Sequence, residues 1–362
     1  CGNHCSVQEF NVEGEKTFWG DKCSDRYRKR AKTDRVPVVA DLVALRRQLL
    51  MADDQGDPQG ASITIGVPMA MYAHDLLPLY RRFFRDCGFR FLASEETNRQ
   101  TVRLGYDSVV AEPCFPIIVA HGHVAWLAER NVDYVWLPNI VTAQSPVTDN
   151  ESHVCPWGQT LPFFLRQAPA FRHLAGRILC PTIRMQEGPS ELREAMIDVA
   201  AQLRVNRRVA KRAFDAGWNA LQRFRSKYQK AGQEALDQLT RSGEKGIVLV
   251  GRPYNLHDPG VTLATARKLR DYYGVNLIPI DALPIYDIDV RDINHNMYWE
   301  YGRRILATAK LVAEYPNLHI IYLTNFKCGP DSFVKGYVRP ASGKPFLTLQ
   351  FDGHSNDAGM MT

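Results

Sequence analysis

Several devices that would identify a chemistry directly are missing from this chain. It has no Gly-x-x-x-x-Gly-Lys-Ser/Thr loop and no Gly-x-Gly-x-x-Gly after an apolar run. That excludes the standard backbone cradles for ATP phosphates and for dinucleotides. A Gly-x-Ser-x-Gly elbow is absent, and with it the nucleophile such a turn presents. No two histidines stand at His-x-x-x-His spacing, so a two-histidine metal site on one helix face is excluded. No apolar run reaches the roughly 20 residues of a membrane span. No signal-peptide pattern opens the chain, and it carries neither a short-period repeat nor a low-complexity tract. Charge of one sign is also scarce: the net charge is +6 over 362 residues. Basic residues gather at 26–32 and 204–230, but no recognition motif accompanies them. They read as solvated faces, not as a nucleic-acid patch.

What is present suits a protein of two or three domains with sizeable cores. The hydrophobic fraction is 45% and the charged fraction 23%, ordinary for a globular chain. There are eight cysteines. A chain this long does not need disulfides for stability, and its Cys-Pro and Cys-Gly-Pro contexts look like ligand loops, so a reduced cytoplasm is expected. The chain opens at Cys1 without an initiating Met and stops at Thr362, which reads as a fragment of a longer protein.

Residues 1–35 stand apart as a Cys-rich knuckle. Cys1-x3-Cys5 precedes a hairpin-like stretch at 10–19 that turns at Glu13-Gly14-Glu15, and Gly20-Asp21-Lys22-Cys23 closes it. Cys1, Cys5 and Cys23 suit zinc, with a fourth ligand at His4 or beyond the chain; the other reading is three unliganded thiols in a polar tail. After a linker at 53–60, a βα alternation begins. Strands are expected at 63–67, 89–92, 132–137 and 177–180. Helices are expected at 72–87, despite Pro78, and at 117–130, with Ser94 as the N-cap of a helix between them. Helices over 189–242 form a bridge. A second series then gives strands at 246–250, 275–279, 318–323 and 345–351, and helices at 262–273 and 298–313. Alternation of this kind predicts an α/β fold with parallel sheets: two Rossmann/flavodoxin-like lobes, 60–185 and 244–362, joined by a helical segment at 186–243.

The chemistry concentrates in three cysteines, each placed at a tight turn after an apolar run: Glu112-Pro113-Cys114-Phe115-Pro116, Val154-Cys155-Pro156-Trp157-Gly158 and Phe326-Lys327-Cys328-Gly329-Pro330. Open α/β sheets put their chemistry in such loops. A Pro or Gly beside each thiol tightens the loop and lets backbone approach. Cys114, Cys155 and Cys328 together suit an iron–sulfur cluster in the cleft between lobes. Any one of them alone reads as a buried apolar thiol. Cys87 reads as core, and Cys180 is left out of the ligand set. His121 and His123 follow Cys114 by about two helical turns, point in different directions, and are candidates for proton delivery. Arg252 in Gly251-Arg252-Pro253-Tyr254 ends a strand and suits a phosphate or carboxylate; His257 and Asp258 share its loop.

These motifs recur in one order, together with Ile65-Gly66-Val67-Pro68, Ala120-His121-Gly122-His123, Cys328-Gly329-Pro330-Asp331-Ser332 and Asp352-Gly353-His354-Ser355. Over nearly its whole length the chain resembles the activase-related proteins linked to 2-hydroxyacyl-CoA dehydratases. In large members this region follows ATPase domains of the sugar-kinase/actin type. The resemblance implies a two-lobed α/β fold and a 4Fe-4S or related larger cluster at Cys114, Cys155 and Cys328. It also implies electrons from an ATP-dependent activator, passed in that chemistry to an acyl-CoA thioester to permit an unfavourable elimination, as in anaerobic metabolism. Where Asp-Glu-His is expected near the end, this chain has Asp352-Gly353-His354, and it lacks the ATPase domain. The alternative reading is a non-catalytic, zinc-stabilised scaffold or regulatory module of the activase. A third is a metal-free, two-lobed small-molecule-binding protein.

Overall fold

The computed structural model describes residues 7–12, 15–19, 34–52, 56–146, 151–186 and 188–353. Cys1, His4, Cys5, Cys23 and His354, and the zinc reading that rests on the first four, lie outside the described residues. The hairpin expected at 10–19 forms from β1 (Gln8–Val12) and β2 (Glu15–Trp19), paired antiparallel. Helix α1 (Leu42–Met51) follows, capped by Asp41, whose Oδ1 accepts the Ala44 N–H at 2.9 Å.

The first βα series runs β3 (Thr64–Val67), α2 (Ala73–Asp86), β4 (Arg90–Ala93), α3 (Arg99–Ser108), α4 (Phe115–Glu129), β5 (Tyr134–Trp136), β6 (Asn139–Thr142), α5 (Pro156–Gln167), β7 (Ile178–Leu179) and β8 (Thr182–Arg184). Helices α6 (Ser190–Gln202) and α7 (Arg207–Ser242) follow. The second series runs β9 (Gly246–Val250), α8 (Pro253–Leu256), α9 (Thr265–Tyr273), β10 (Asn276–Pro279), α10 (Glu300–Glu314), β11 (Leu318–Asn325), α11 (Gly329–Ser342) and β12 (Phe346–Phe351). The two main sheets are parallel, ordered β4-β3-β5-β7 and β10-β9-β11-β12. Counted within its own sheet, each has the order 2-1-3-4. Each therefore reverses direction beside its first strand, and a crevice opens there at the strands' C-terminal ends. The β9 run Gly-Ile-Val-Leu-Val is almost wholly buried, as a parallel strand covered on both faces must be.

Helix α7 braces both lobes. Asn206 caps its start through the Arg208 N–H, and Gly243 stops it at φ +68°, a left-handed position that favours glycine. Its 36 residues span about 54 Å. A Cβ at Gly217 would lie 2.8 Å from the Leu79 carbonyl oxygen of the first lobe. One at Gly232 would lie only 1.9 Å from that of Ala282 in the second. The helix backbone therefore touches both, and larger residues at either position would push a lobe away. Pro78 sits inside α2 and leaves the His74 carbonyl without its helical N–H. Arg46 Nη2 donates to that oxygen at 2.9 Å, so the helix continues.

Three local expectations change. Ser94 caps no helix; Asn98 does, accepting from the N–H groups of Gln100 and Thr101 at 2.8 and 3.0 Å. The Ser94 hydroxyl is committed elsewhere, as described below. The apolar stretch before Cys114 is not a strand, because Val109 caps the end of α3, so Cys114 stands between two helices. Strand β6, the short run Asn-Ile-Val-Thr, is not among the expected strands and pairs parallel with β8. Among the described residues no helix is long and apolar enough to cross a membrane.

Candidate functional site

Cys114, Cys155 and Cys328 share one local design. Each is the N-cap residue of a helix, α4, α5 and α11, and each is followed by Pro at the first or second helical position. None of the three side chains caps its helix by a hydrogen bond. Each sulfur therefore sits at the positive end of a helix dipole, a pull toward thiolate that burial outweighs at Cys114 and Cys328. All three thiols are buried.

Contacts between the lobes bring the three loops together. Lys327 Nζ, next to Cys328, pairs with Glu112 Oε2, two residues before Cys114, at 2.8 Å. The Cys155 loop belongs to the first lobe but is pinned to the second by backbone bonds. His153 N–H donates to the Tyr298 carbonyl at 2.7 Å, and Glu300 N–H to the His153 carbonyl at 2.9 Å. Gly353, at the end of β12, packs against the rings of Phe115 and Tyr106 so closely that a Cβ would lie 2.7 and 2.8 Å from them. Electrostatics make Cys155 the common neighbour. Burial pushes the Cys114 thiol up to about 11, with Cys155 adding to the rise. Burial pushes Cys328 up to about 12, Arg252 opposes, and Asp331 and Cys155 add to it.

Arg252 does not present an open phosphate site. It is 1% exposed. Its Nη2 donates to Asp331 Oδ2 at 2.7 Å and to Asn325 Oδ1 at 3.1 Å, and its Nη1 to Tyr254 Oη at 3.3 Å. Burial opposes its charge, yet Asp331 first, and Cys328 and Cys155 after it, keep its pKa well above the ordinary value. The carboxylate paired with Arg252 is the chain's own Asp331, in the Cys-Gly-Pro-Asp loop, and not that of a ligand. Three polar groups here are buried with no protein partner among the described residues: Arg252 Nε, Tyr72 Oη and both amide atoms of Asn255. Burial and Cys155 hold the Tyr72 hydroxyl well above its usual pKa, and Tyr72 Oη lies against Gly158 of the Cys155 loop. Orphaned buried polar atoms beside three buried thiols fit a missing polar or charged group.

Among the described residues no three His, Cys, Asp or Glu side chains stand close enough to hold a single metal ion. One tetrahedral ion draws its sulfurs to within about 4 Å of each other, whereas a cluster takes its thiolates on different iron atoms and spreads them. Cys180 accepts a hydrogen bond from Arg166 at 3.4 Å, and half-buried Cys87 caps the end of α2.

The two histidines diverge as their spacing requires. His121 bonds through Nδ1 to the Ile117 carbonyl at 2.8 Å and lies by Phe171. His123 has both nitrogens committed in a chain whose directions can be assigned. Met69 N–H donates to Ser94 Oγ at 2.8 Å, and the Ser94 hydroxyl donates to His123 Nδ1 at 2.8 Å, because Nε2 carries the proton of the neutral ring. His123 Nε2–H then donates to Thr97 Oγ1 at 2.9 Å, and Thr97 donates to Asp258 Oδ2 at 2.5 Å. That chain crosses from the first lobe to the second. Tyr72 and Asn255 carried no signal in the sequence that marked them as site residues, and Asp331 appeared only inside the motif Cys328-Gly329-Pro330-Asp331-Ser332, with no role attached.

Burial lowers the His123 pKa from 6.5 to about 3, and the sign of its effect follows. Above pH 6.5 the imidazole is neutral folded and unfolded. Below it, the unfolded chain takes up a proton that the folded chain refuses, so stability falls until about pH 3. A shift of this size is worth roughly 3–6 kcal/mol for His123 alone. His74, His257 and His121 are lowered too, chiefly by burial, and act with the same sign. Asp258, raised by burial to about 6, works the other way between pH 6 and 4. The expected result is a urea midpoint that falls from pH 6.5 to 4, with a shallower fall in His123→Gln. A midpoint flat across that window would contradict it.

No curated protein matches the chain. Solved structures similar to it include glucosamine-6-phosphate deaminase from Thermotoga maritima, 11% identical over 82% of this chain and 80% of that one, with a TM-score of 0.20. Another is the C-terminal domain of glucosamine-fructose-6-phosphate aminotransferase from Francisella tularensis, 11% identical over 88% of this chain and 89% of that one, with a TM-score of 0.23. At such TM-scores neither likeness carries an argument. Residues 64–283 match a family described as CoA enzyme activase uncharacterised domain (DUF2229), and the chain belongs to that family.

Proposed function

We propose that this chain is an iron–sulfur redox protein resembling 2-hydroxyacyl-CoA dehydratase components. Cys114, Cys155 and Cys328 hold its cluster, 4Fe-4S or a related larger one. It accepts low-potential electrons from an ATP-dependent activator domain or subunit of the sugar-kinase/actin type, and an acyl-CoA is its substrate. The supporting observation is the convergence of three buried, uncapping thiols at three helix N-termini, beside the unpartnered Arg252 Nε and Tyr72 Oη. When bound, a cluster supplies a one-electron store whose potential the surrounding charge and hydrogen bonds set.

The chain's own residues have distinct tasks in this reading. The three thiolates ligate, and the helix N-termini and the Arg252 guanidinium offset their negative charge. The side chains of Val154, Phe115 and Tyr72 are buried around the thiols and keep water away. His123, held at both nitrogens, positions Thr97 and Asp258 and moves no proton at neutral pH. Val110, Trp157, Phe326 and Phe333 lie within five residues of a site cysteine, and all are exposed. They give an activator an apolar rim to dock on. The family description supports a link to an enzyme acting on CoA compounds.

The test is iron and acid-labile sulfide content, with EPR after reduction, on protein purified without oxygen. About four irons and four sulfides per chain with a reducible signal are expected. Zinc without sulfide would overturn the reading and move the metal to Cys1, Cys5 and Cys23, as the scaffold alternative requires.

A further inference from the structure

A cleft of about 530 Å³ opens between the two lobes and α7, a volume that suits a small organic ligand. Four arginines line it: Arg46, Arg225, Arg303 and Arg304. Two are spoken for by the protein. Arg46 donates through Nε to Asp281 at 2.5 Å and through Nη2 to Asp75 at 3.3 Å. Arg303 makes a two-pronged pair with Glu300 at 2.9 and 3.0 Å and donates to the Tyr286 carbonyl at 3.0 Å. The lining carboxylates Asp75, Asp281 and Glu300 are thereby taken, and Asp287 is exposed to solvent.

Arg225 and Arg304 are different. Both are half-buried, and neither guanidinium has a hydrogen-bond or ion-pair partner among the described residues. Each lies within electrostatic range of the other: burial, and then Arg304, lowers the Arg225 pKa against the pull of Asp75. Asp75, Asp281 and Glu300 outweigh burial at Arg304 and hold its pKa above the ordinary value, but none of them is hydrogen-bonded to either guanidinium, so both forks keep N–H donors for an acceptor in the cleft. The Arg225 guanidinium lies 6.0 Å from the centre of the Trp218 ring, and Tyr286 lines the same cleft, so flat apolar surface adjoins the charge.

We infer that Arg225 and Arg304 form the anchoring subsite for a small molecule carrying a multivalent oxyanion of the phosphate type. A single carboxylate would offset one guanidinium. A phosphate or pyrophosphate group presents enough charge and enough acceptor oxygens for both forks. Tyr72, Val154 and Tyr301 line the same cleft, and Tyr301 stands one helical turn before Arg304 on α10. Val154 precedes Cys155, and Tyr72 and Tyr301 both lie within electrostatic range of its sulfur. A ligand anchored at the arginines therefore extends toward the Cys155 loop. Only that direction rests on the cluster reading; the anchoring does not.

The test is calorimetric titration of the full chain with inorganic pyrophosphate at fixed, low salt, with iron content measured on the same preparation. Saturable binding is expected. It should weaken about tenfold or more in Arg225→Gln and in Arg304→Gln, the loss of a charge-assisted pair. Arg225→Lys, which keeps the charge and loses the fork, should weaken it severalfold; this variant decides the matter if Arg304→Gln does not fold. Arg223→Gln, two residues along α7 and exposed, should bind as the parent does. No saturable binding by the parent, or an equal loss in Arg223→Gln, would overturn the subsite and leave only general attraction to a chain of net charge +6. Binding in a preparation without iron supports the subsite and counts against the cluster alone.

Discussion

Cys114→Ala, Cys155→Ala and Cys328→Ala should each lose the visible absorption and most of the iron of anaerobically purified protein, while Cys87→Ala keeps both. The asymmetry follows from position. The first three thiols begin three helices, and Cys155 lies within electrostatic range of the other two. Cys87 ends α2, and burial, with Asp86 beside it, pushes its thiol up to about 12. A cluster with three protein ligands does not tolerate the loss of one as a structural core tolerates a thiol-to-methyl change. The latter costs about 1 kcal/mol, so Cys87→Ala should melt near the parent, and the other three near the parent stripped of its metal. The pH dependence of loading has a fixed sign. Without metal, Cys114 and Cys328 are protonated at neutral pH, with pKa values of about 11 and 12. Ligation must expel those protons, so reconstitution with iron and sulfide should be slower at pH 6.5 than at pH 8.5. Equal iron in all four variants would end the three-cysteine proposal.

The parts of this arrangement that could be read in the sequence are those with local causes. The run Gly246–Val250 announces a buried parallel strand because both of its faces must be apolar. The Pro or Gly near each site cysteine reads as a tight loop, and of the three helices that these cysteines begin only the one after Cys114 is among the expected elements. Other features have causes far away in the chain. Strand β6 exists because β8, about forty residues on, lies alongside it. Ser94 followed by two glutamates looks like a cap, but the Met69 amide and His123 claim its hydroxyl first. Arg225 belongs to a basic stretch that reads as a solvated face. A long helix clasped between two lobes, however, has more than one buried side, and Phe224 and Arg225 face the core and the cleft. The partnership of Arg252 with Asp331 spans 79 residues and has no local signature.

That partnership carries the second large expected effect. Asp331 Oδ2 accepts from Arg252 Nη2 at 2.7 Å and from the Thr324 hydroxyl, and its Oδ1 accepts from Tyr322 Oη at 3.0 Å. Asp331 and Arg252 are each 1% exposed. Asp331→Ala would remove the only carboxylate bonded to this guanidinium among the described residues. Arginine cannot escape by giving up its proton, and its Nε already has no partner among the described residues. Leaving such a charge buried and unpaired costs about 3–5 kcal/mol, a large part of the stability of an ordinary domain. Asp331→Asn, which keeps an acceptor in place, should lose less. Replacing both members together, Arg252→Met with Asp331→Leu, should recover most of the loss, because the pair's own desolvation cost disappears with it. Urea midpoints of the parent, Arg252→Met, Asp331→Leu and the double replacement close a double-mutant cycle. A strongly positive coupling is expected, whereas additive losses would mean that the two side chains do not meet. The cycle also bears on the site. Asp331 lies in the first turn of α11 and fixes the start of that helix, so Asp331→Asn should hold iron less tightly even at temperatures where it remains folded. The double replacement should restore stability without restoring iron, because it returns packing to the loop but not the positive charge behind Cys328 and Cys155.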